Sequence, residues 1–364
     1  MAPKEIRYIL HLVDQISPVN FGIWHAAIAM SSAHKEMGIE TWLIAPEGEH
    51  SIDKEQFPYL KIFRFGASPV PEWLAFLKEF QISQTLIVSH GCWQWPTKLG
   101  ALAKTQGFNW IYTPHGMLEP WSMNQKWLKK KAYFLLIEGR LARKANWVRA
   151  VGKPEAQNLQ RLFKRIRHIP NGIYEKDLQP YSLKREPPVF LYLARLHHKK
   201  NPVLLAKVWA SIPREQKKGA ELWIVGTDDG EQNRIEKLIE ENPKAGIQFL
   251  GSCFGEKKAE ILRQSSFYIL PSQSEGFPTS VVEAMGSGLV PLISDGCNFP
   301  EAFESQQAIR CSPDEEGIRE ALSKALKMEP TERQNRSAQV FSFVKNGYLW
   351  STLASKFLKT AEAE

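Results

Sequence analysis

Ser274-Glu275-Gly276-Phe277-Pro278-Thr279-Ser280-Val281-Val282-Glu283 follows the apolar run Phe267-Tyr268-Ile269-Leu270, which ends at Pro271-Ser272. The run has the length and composition of a buried strand. The Gly and Pro residues after it predict a loop, and a helix opens near Thr279 or Ser280. A strand, a loop and a helix start in that order aim free N–H groups and a partial positive charge at one point. That suits an anion such as a diphosphate. Glu275 and Glu283 flank the turn, and carboxylates there would repel a phosphate. They suit hydroxyl groups instead, as on a ribose or a hexose. A local alternative is a capping box, in which Glu283 reaches back to its own helix start beside Ser280.

The remaining chain bounds this reading. Its 364 residues are enough for two domains. With 43% hydrophobic and 24% charged residues, the composition is that of a globular protein. A net charge of +8 and a pI near 9.1 favour an anionic partner: nucleic acid, a lipid headgroup or a phosphorylated substrate. No apolar run approaches the ~20 residues of a membrane span. No signal-peptide core follows Met1-Ala2-Pro3-Lys4-Glu5. Cys92, Cys253, Cys297 and Cys311 have no metal-binding spacing, which points to a reduced, cytoplasmic setting.

In chain order, Ile6 to Val13 predicts a first strand, Gly22 the entry to a helix running to about Met37, and Thr41 to Ala45 the next strand. This is the opening of a doubly wound sheet. Thr85 to Ser89 and Asn109 to Thr113 predict further strands, ending at His90 and just before His115. Ligands of open α/β sheets bind at that edge. With Trp93, Trp95 and Trp121 close in sequence, the two histidines suggest a site that stacks on sugar rings. Pro180, Pro187 and Pro188 mark a linker between Tyr174 and Pro188. Val189 to Leu193 predicts a strand that leads into Arg195 and Lys200 at a helix start. An arginine fork and a lysine point charge there would clamp a diphosphate, with Lys199 a competitor for the second role. Strands are also expected at Glu221 to Val225, Ile247 to Leu250 and Val290 to Ser294, and a tail helix over Phe341 to Ala361.

The string Pro271-Ser272, Glu275-Gly276-Phe277-Pro278, Glu283-Ala284-Met285, Gly288, Pro291 resembles the E-x7-E signature of family-4 retaining glycosyltransferases. Pro114-His115-Gly116-Met117-Leu118-Glu119-Pro120-Trp121 resembles a branch of that family concerned with polysaccharide and exopolysaccharide assembly. The likeness covers nearly the whole chain and is weakest from Ser51 to Phe80. It implies an α/β fold of two Rossmann-like domains facing across a cleft, the GT-B fold, with a C-terminal helix crossing back to the first domain. The expected domains are 1–175 with the helix at about 342–364, and 176–341. It further implies a hexose transferred with retention from a nucleotide-sugar, with a UDP-hexose favoured, to a saccharide acceptor carried on a lipid.

The resemblance assigns His115 and Glu275 to the reacting centre. Gly22, Arg195, Lys200, Gly276, Phe277, Pro278, Thr279 and Glu283 would hold the donor, with the backbone at Cys253 and Phe254 against the base. His90, Trp93 and Trp121 fall on the acceptor side. The chain departs from the family at Phe21-Gly22, where two glycines are usual, and at Ala194 and Asn201, which replace glycines. No Asp-x-Asp pair stands at a strand end, so no metal and no cofactor are expected. The stretch 126–149 mixes Lys126, Lys129, Lys130, Lys131, Arg140, Arg143, Lys144 and Arg149 with aromatic and aliphatic residues on an expected helix, opposed only by Glu138. It suits an anionic membrane surface, the inner face of the plasma membrane, or else is an ordinary solvated face. No nucleic-acid module accompanies it. The competing readings are a nucleotide-sugar epimerase of the same architecture, which converts the donor alone, and a non-catalytic basic protein at membranes. A phosphorylase relative would need a pyridoxal lysine motif that the chain lacks.

Overall fold

The computed structural model describes residues 5–17, 21–48, 50, 52, 55, 57–179 and 186–363. Residues 18–20 of the first strand-to-helix loop and 180–185 of the linker lie outside these. The chain divides into two units, residues 1–171 with 350–364, and residues 172–349.

The first unit is built on β1 (Tyr8–Leu12), β2 (Glu40–Pro46), β3 (Leu60–Phe65), β4 (Thr85–His90), β5 (Asn109–Thr113), β6 (Trp147–Ala150) and β7 (Ile166–His168). These pair in parallel in the order β3-β2-β1-β4-β5-β6-β7. Helices cover a parallel sheet on both faces, so its strands read as apolar runs, and every residue of β4 is buried. The strand order reverses between β1 and β4, which opens a crevice at their carboxyl ends. His11 lies on one side of that point and His90 on the other.

The second unit repeats the plan with β8 (Val189–Leu193), β9 (Glu221–Val225), β10 (Ile247–Phe249), β11 (Phe267–Leu270), β12 (Val290–Ile293) and β13 (Ile309–Arg310). The order is β10-β9-β8-β11-β12-β13. Reversal falls between β8 and β11, the strands whose loops carry Arg195 to Lys200 and Ser274 to Pro278. Phe190 and Phe267 stack with centroids 4.6 Å apart and tie these two strands together.

Four local expectations are corrected. The helix after Gly22 is broken into Phe21–Ile28 and Ser31–Glu36; serines such as Ser31 and Ser32 disfavour helix interiors. β3 was not foreseen, because Leu-Lys-Ile-Phe-Arg-Phe alternates only loosely. Trp147, Val148 and Arg149 leave the expected basic helix and form the buried strand β6. The tail is not one helix but Pro330–Gly347 and Trp350–Ala363, the first ending at a glycine. The second of these packs Phe357 against His34 and Trp147 of the first unit.

Candidate active site

In the second unit the chain leaves β8 at Ala194 and turns into the helix Pro202–Ser211. Asn201 precedes that helix at φ +56°, a left-handed conformation that Asn tolerates well. This explains why it can replace a glycine there, and its side-chain amide also donates to the Pro271 carbonyl at 2.9 Å. Gly226, at the end of β9, has the opposite constraint. A Cβ there would stand 1.9 Å from the Ala194 oxygen, so only glycine lets the Arg195 loop pass.

Lys200 Nζ donates to both carboxylate oxygens of Glu275 at 2.8 Å each. Their side chains are only 12% and 11% exposed, so the pair is weakly screened. The expected phosphate cation and the expected hydroxyl-binding carboxylate thus hold one another. Arg195 pairs with Asp229 at 2.7 Å on the surface, an arrangement worth little and easily exchanged for a phosphate.

The helix Thr279–Gly286 starts after Pro278. Thr279 N–H donates to Phe277, and those of Val281 and Val282 donate to Pro278. Among the described residues the N–H groups of Gly276, Phe277 and Ser280 have no acceptor, and they form the donor set expected of an anion site. The capping-box alternative fails. Glu283 pairs instead with Lys258 at 2.7 Å. The Tyr268 hydroxyl donates to the Leu193 carbonyl at 3.0 Å, so it accepts from Ser280 Oγ at 2.8 Å. Cys253 is buried, whereas the Phe254 ring is 76% exposed in a turn set by positive φ at Gly251 and Gly255. Asp228 accepts N–H bonds from Gly230, Glu231 and Gln232 and so caps the helix Gln232–Glu241. Among the described residues no three of the His, Cys, Asp and Glu side chains come together to hold a metal ion.

In the first unit, adjacent strands place three imidazoles in a row. His11 Nδ1 lies 2.8 Å from His90 Nε2, and His90 Nδ1 lies 2.8 Å from His115 Nε2. His11 and His90 are buried, and burial holds both well below the usual histidine range. His115 is half-buried and depressed to about 3 by the same cause, with the buried Arg149 cation adding to it. His90 therefore cannot contact an acceptor directly, because its ring is enclosed and both nitrogens are used. Arg149 donates to the carbonyls of Ile169 and Pro170 at 2.9 Å each and to Asn171 Oδ1 at 3.1 Å.

His115 has φ +53° and Trp93 has φ +73°, which is strained for residues with a Cβ. Glu155 secures the first of these turns. Its two oxygens accept from Gly116 N–H at 2.6 Å and Val151 N–H at 2.7 Å. Desolvation lifts its carboxyl to about 7. Trp93 is half-buried beside Tyr133, with Lys130 Nζ 5.9 Å from its ring centroid. Trp121 remains exposed. Trp95 is structural, since it packs on Phe65 and donates to the Asp14 carbonyl. Gly22 has no positive φ, and among the described residues no atom lies within 4 Å of where a Cβ would stand, so their packing does not demand glycine there.

Of the residues the sequence did not single out, His11 has the clearest signal, a lone histidine in the apolar strand β1. Lys258 and Glu155 carried none, because their roles depend on partners 25 and 39 residues away.

The basic stretch also resolves. Lys126, Trp127, Leu128, Lys129, Lys131, Leu135, Leu136, Ile137, Arg140, Arg143 and Lys144 are exposed. Glu138 is buried, where it accepts from Thr97 and Tyr112. It does not oppose the surface cations, and Arg149 is not among them. Among the described residues no helix is long and apolar enough to cross a membrane.

Two doubly wound parallel sheets, each with charged or imidazole groups at its point of strand-order reversal, are the architecture of GT-B glycosyltransferases. Anabaena HepE, solved in complex with UDP and glucose, superposes with a TM-score of 0.74 at 16% identity, covering 98% of this chain and 100% of that one. The chain belongs to the family-4 type of these proteins: residues 22–176 match Glycosyltransferase Family 4, and residues 174–340 match Glycosyl transferases group 1. Among curated relatives, the phosphatidylinositol N-acetylglucosaminyltransferase gpi3 subunit of Schizosaccharomyces pombe is 24% identical over 55% of this chain and 44% of its own length. The GDP-mannose:cellobiosyl-diphosphopolyprenol alpha-mannosyltransferase of Xanthomonas oryzae is 30% identical over 40% of this chain and 39% of its own. The chain spans about half or less of the length of these relatives.

Proposed function

We propose that this protein transfers a hexose from a nucleotide-sugar to a hydroxyl of a saccharide acceptor, with retention and without a metal ion. The observation that carries this is the turn after β11. There, unpaired N–H groups of Gly276, Phe277 and Ser280 stand beside the Lys200–Glu275 pair in a family-4 chain. The departing nucleoside diphosphate gains charge on a phosphate oxygen, and preorganised donors act where that charge appears. Lys200, Arg195 and the free N–H groups bind the diphosphate. Glu283 takes the ribose hydroxyls and Glu275 the hexose hydroxyls. His115 addresses the transferred sugar. UDP is the favoured nucleotide, in keeping with the UDP and glucose bound by HepE.

Titration calorimetry with UDP, GDP and ADP in chelator tests this. Micromolar binding of one nucleotide without metal is expected, followed by release of that nucleotide from the matching sugar donor when a saccharide acceptor is added. Conversion of the donor without an acceptor would favour an epimerase. No binding of any nucleotide would defeat the transferase reading.

We further propose that the acceptor is lipid-linked, as in bacterial polysaccharide synthesis, and that the face carrying Trp127, Leu128, Leu135 and Leu136 rests on an anionic bilayer. Exposed apolar side chains ringed by cations, with Glu138 withdrawn into the core, fit a headgroup boundary. Each cation near such a surface contributes about 1 kcal/mol. Sedimentation with phosphatidylglycerol vesicles should exceed that with phosphatidylcholine vesicles and fall with salt. Leu135→Glu with Leu136→Glu should reduce it ~10-fold or more. Equal sedimentation with both lipids, or no change in the double variant, would remove the proposal.

A further inference from the structure

We infer that His11 and His90 form a buried imidazole wire that fixes the proton of His115 on Nδ1, so that His115 meets its ligand as a hydrogen-bond donor and not as a base. The inference deepens the reading of His115 given above and rests on it for the identity of that ligand. The wire itself comes from the sheet. β1 pairs with β4, placing His11 beside Val88, and β4 pairs with β5, placing His90 beside Thr113. Each strand delivers one imidazole to the carboxyl edge. Two N···N distances of 2.8 Å join them.

Neutral imidazole carries one proton, and an N···N contact this short needs one proton between its nitrogens. These two conditions leave only two arrangements, because the tautomer of His90 dictates both neighbours. In the outward arrangement, His11 Nδ1–H donates to His90 Nε2, His90 Nδ1–H donates to His115 Nε2, and His115 keeps its proton on Nδ1. In the inward arrangement, every bond reverses. His115 then presents a bare Nδ1, and His11 holds its proton on Nε2.

The far end of the wire decides between them. His11 Nε2 is buried and has no partner among the described residues. The inward arrangement would bury an N–H without an acceptor, which native structures rarely contain; an unpaired acceptor lone pair is the lesser cost. At the near end, His115 Nδ1 makes no hydrogen bond among the described residues and is not among the buried unpartnered atoms. An N–H placed there is available to a sugar hydroxyl or phosphate oxygen. His11 and His90 are positioning residues, two and one steps removed from any ligand.

Long-range 15N correlation spectra of the full chain labelled in its histidine rings report this without substrate, with His115 assigned from the His115→Gln spectrum. The wild-type His115 signal should show a protonated Nδ1 and an unprotonated Nε2. His11→Leu leaves His90 Nε2 as the bare end of the wire, so the wild-type His115 pattern should persist. His11→Glu, whose carboxylate only accepts, should draw the His90 proton to Nε2, reverse both bonds and move the His115 proton to Nε2. In turnover, His11→Glu should lower kcat ~10-fold with KM little changed, and His11→Leu should lower it less. A wild-type His115 protonated on Nε2 would overturn the inference, and so would a folded His11→Glu protein with an unchanged His115 tautomer. If His11→Glu does not fold, the wild-type spectrum still decides. Failure of nucleotide binding would defeat the transferase reading while leaving the spectra unaffected, so the two can fail separately.

Discussion

Glu275→Gln is expected to lower turnover by ~100-fold or more while leaving UDP affinity unchanged or raising it a few-fold. The two effects part because the proposed function gives Glu275 two duties. It neutralises Lys200 through two 2.8 Å contacts. On the function proposed above, a donor needs Lys200 for its phosphates and the carboxylate for its sugar. Glutamine keeps the shape and one acceptor for Lys200 but removes the charge, so the cation competes less for its own neighbour and meets the diphosphate more readily. The carboxylate acting on the hexose is lost. Lys200→Ala should do the reverse at the phosphate, weakening UDP ~10- to 100-fold, the range of a charge-assisted hydrogen bond. It also leaves Glu275, 11% exposed, without its counter-ion, so the thermal midpoint should fall. Calorimetry with UDP and steady-state kinetics on the same preparations check both. If Glu275→Gln weakened UDP as much as it slowed turnover, Glu275 would only shape the loop. Unchanged UDP affinity in Lys200→Ala would dispose of the clamp.

Acid should destabilise the first unit through its neutral imidazoles, and His34 isolates the effect. Its ring is fully buried, neither nitrogen has a hydrogen-bond partner among the described residues, and desolvation lowers it from 6.5 to about 3. A histidine depressed in the folded state leaves the unfolded chain to take the proton first. Its contribution is therefore complete above pH 6.5 and is lost as the pH falls toward 3. By pH 5 the loss is about 2 kcal/mol, 1.5 units at 1.36 kcal/mol each. His11, His90 and His115 act in the same direction as a coupled group. Glu155 acts oppositely: its raised carboxyl favours the folded state as the pH falls from 7 toward 4.5. A comparison of two proteins cancels these shared contributions. Between pH 7.5 and 5, the stability difference between wild type and His34→Leu should move by about 2 kcal/mol toward the variant, or about 4–8 °C in thermal midpoint. A constant difference across that range would mean that the fold does not hold His34 neutral.

Much of the architecture was legible because parallel strands are buried on both faces and announce themselves as apolar runs. Thr85 to Ser89, Asn109 to Thr113, Val189 to Leu193, Glu221 to Val225 and Phe267 to Leu270 all appear as strands within a residue or so. Two of the misreadings share one cause. Trp147-Val148-Arg149 looked like part of a basic helical face because a sequence shows Arg149 as a charge, whereas the fold shows it in a cage of carbonyls. Glu138 looked like the counter-ion of a surface patch and turned out to be the acceptor of a buried network. Hydrophobic periodicity does not say which charged residues will find enough partners to be buried.

The same division holds for the site. The spacing of Glu275, Gly276, Phe277, Pro278 and Glu283 by itself determined the strand-loop-helix turn, because local chemistry alone builds it: an apolar strand, a Gly-Pro loop and a helix that must leave N–H groups unpaired at its start. It also sufficed to place the chain in its family. The spacing left undecided that Glu275 holds Lys200, that Glu283 holds Lys258, and that His11 stands behind His90 and His115. Those are contacts over 75, 25 and 79 residues of sequence. They follow from which strands become neighbours when the sheets wind, and strand order is set by the packing of the whole unit rather than by any stretch of it.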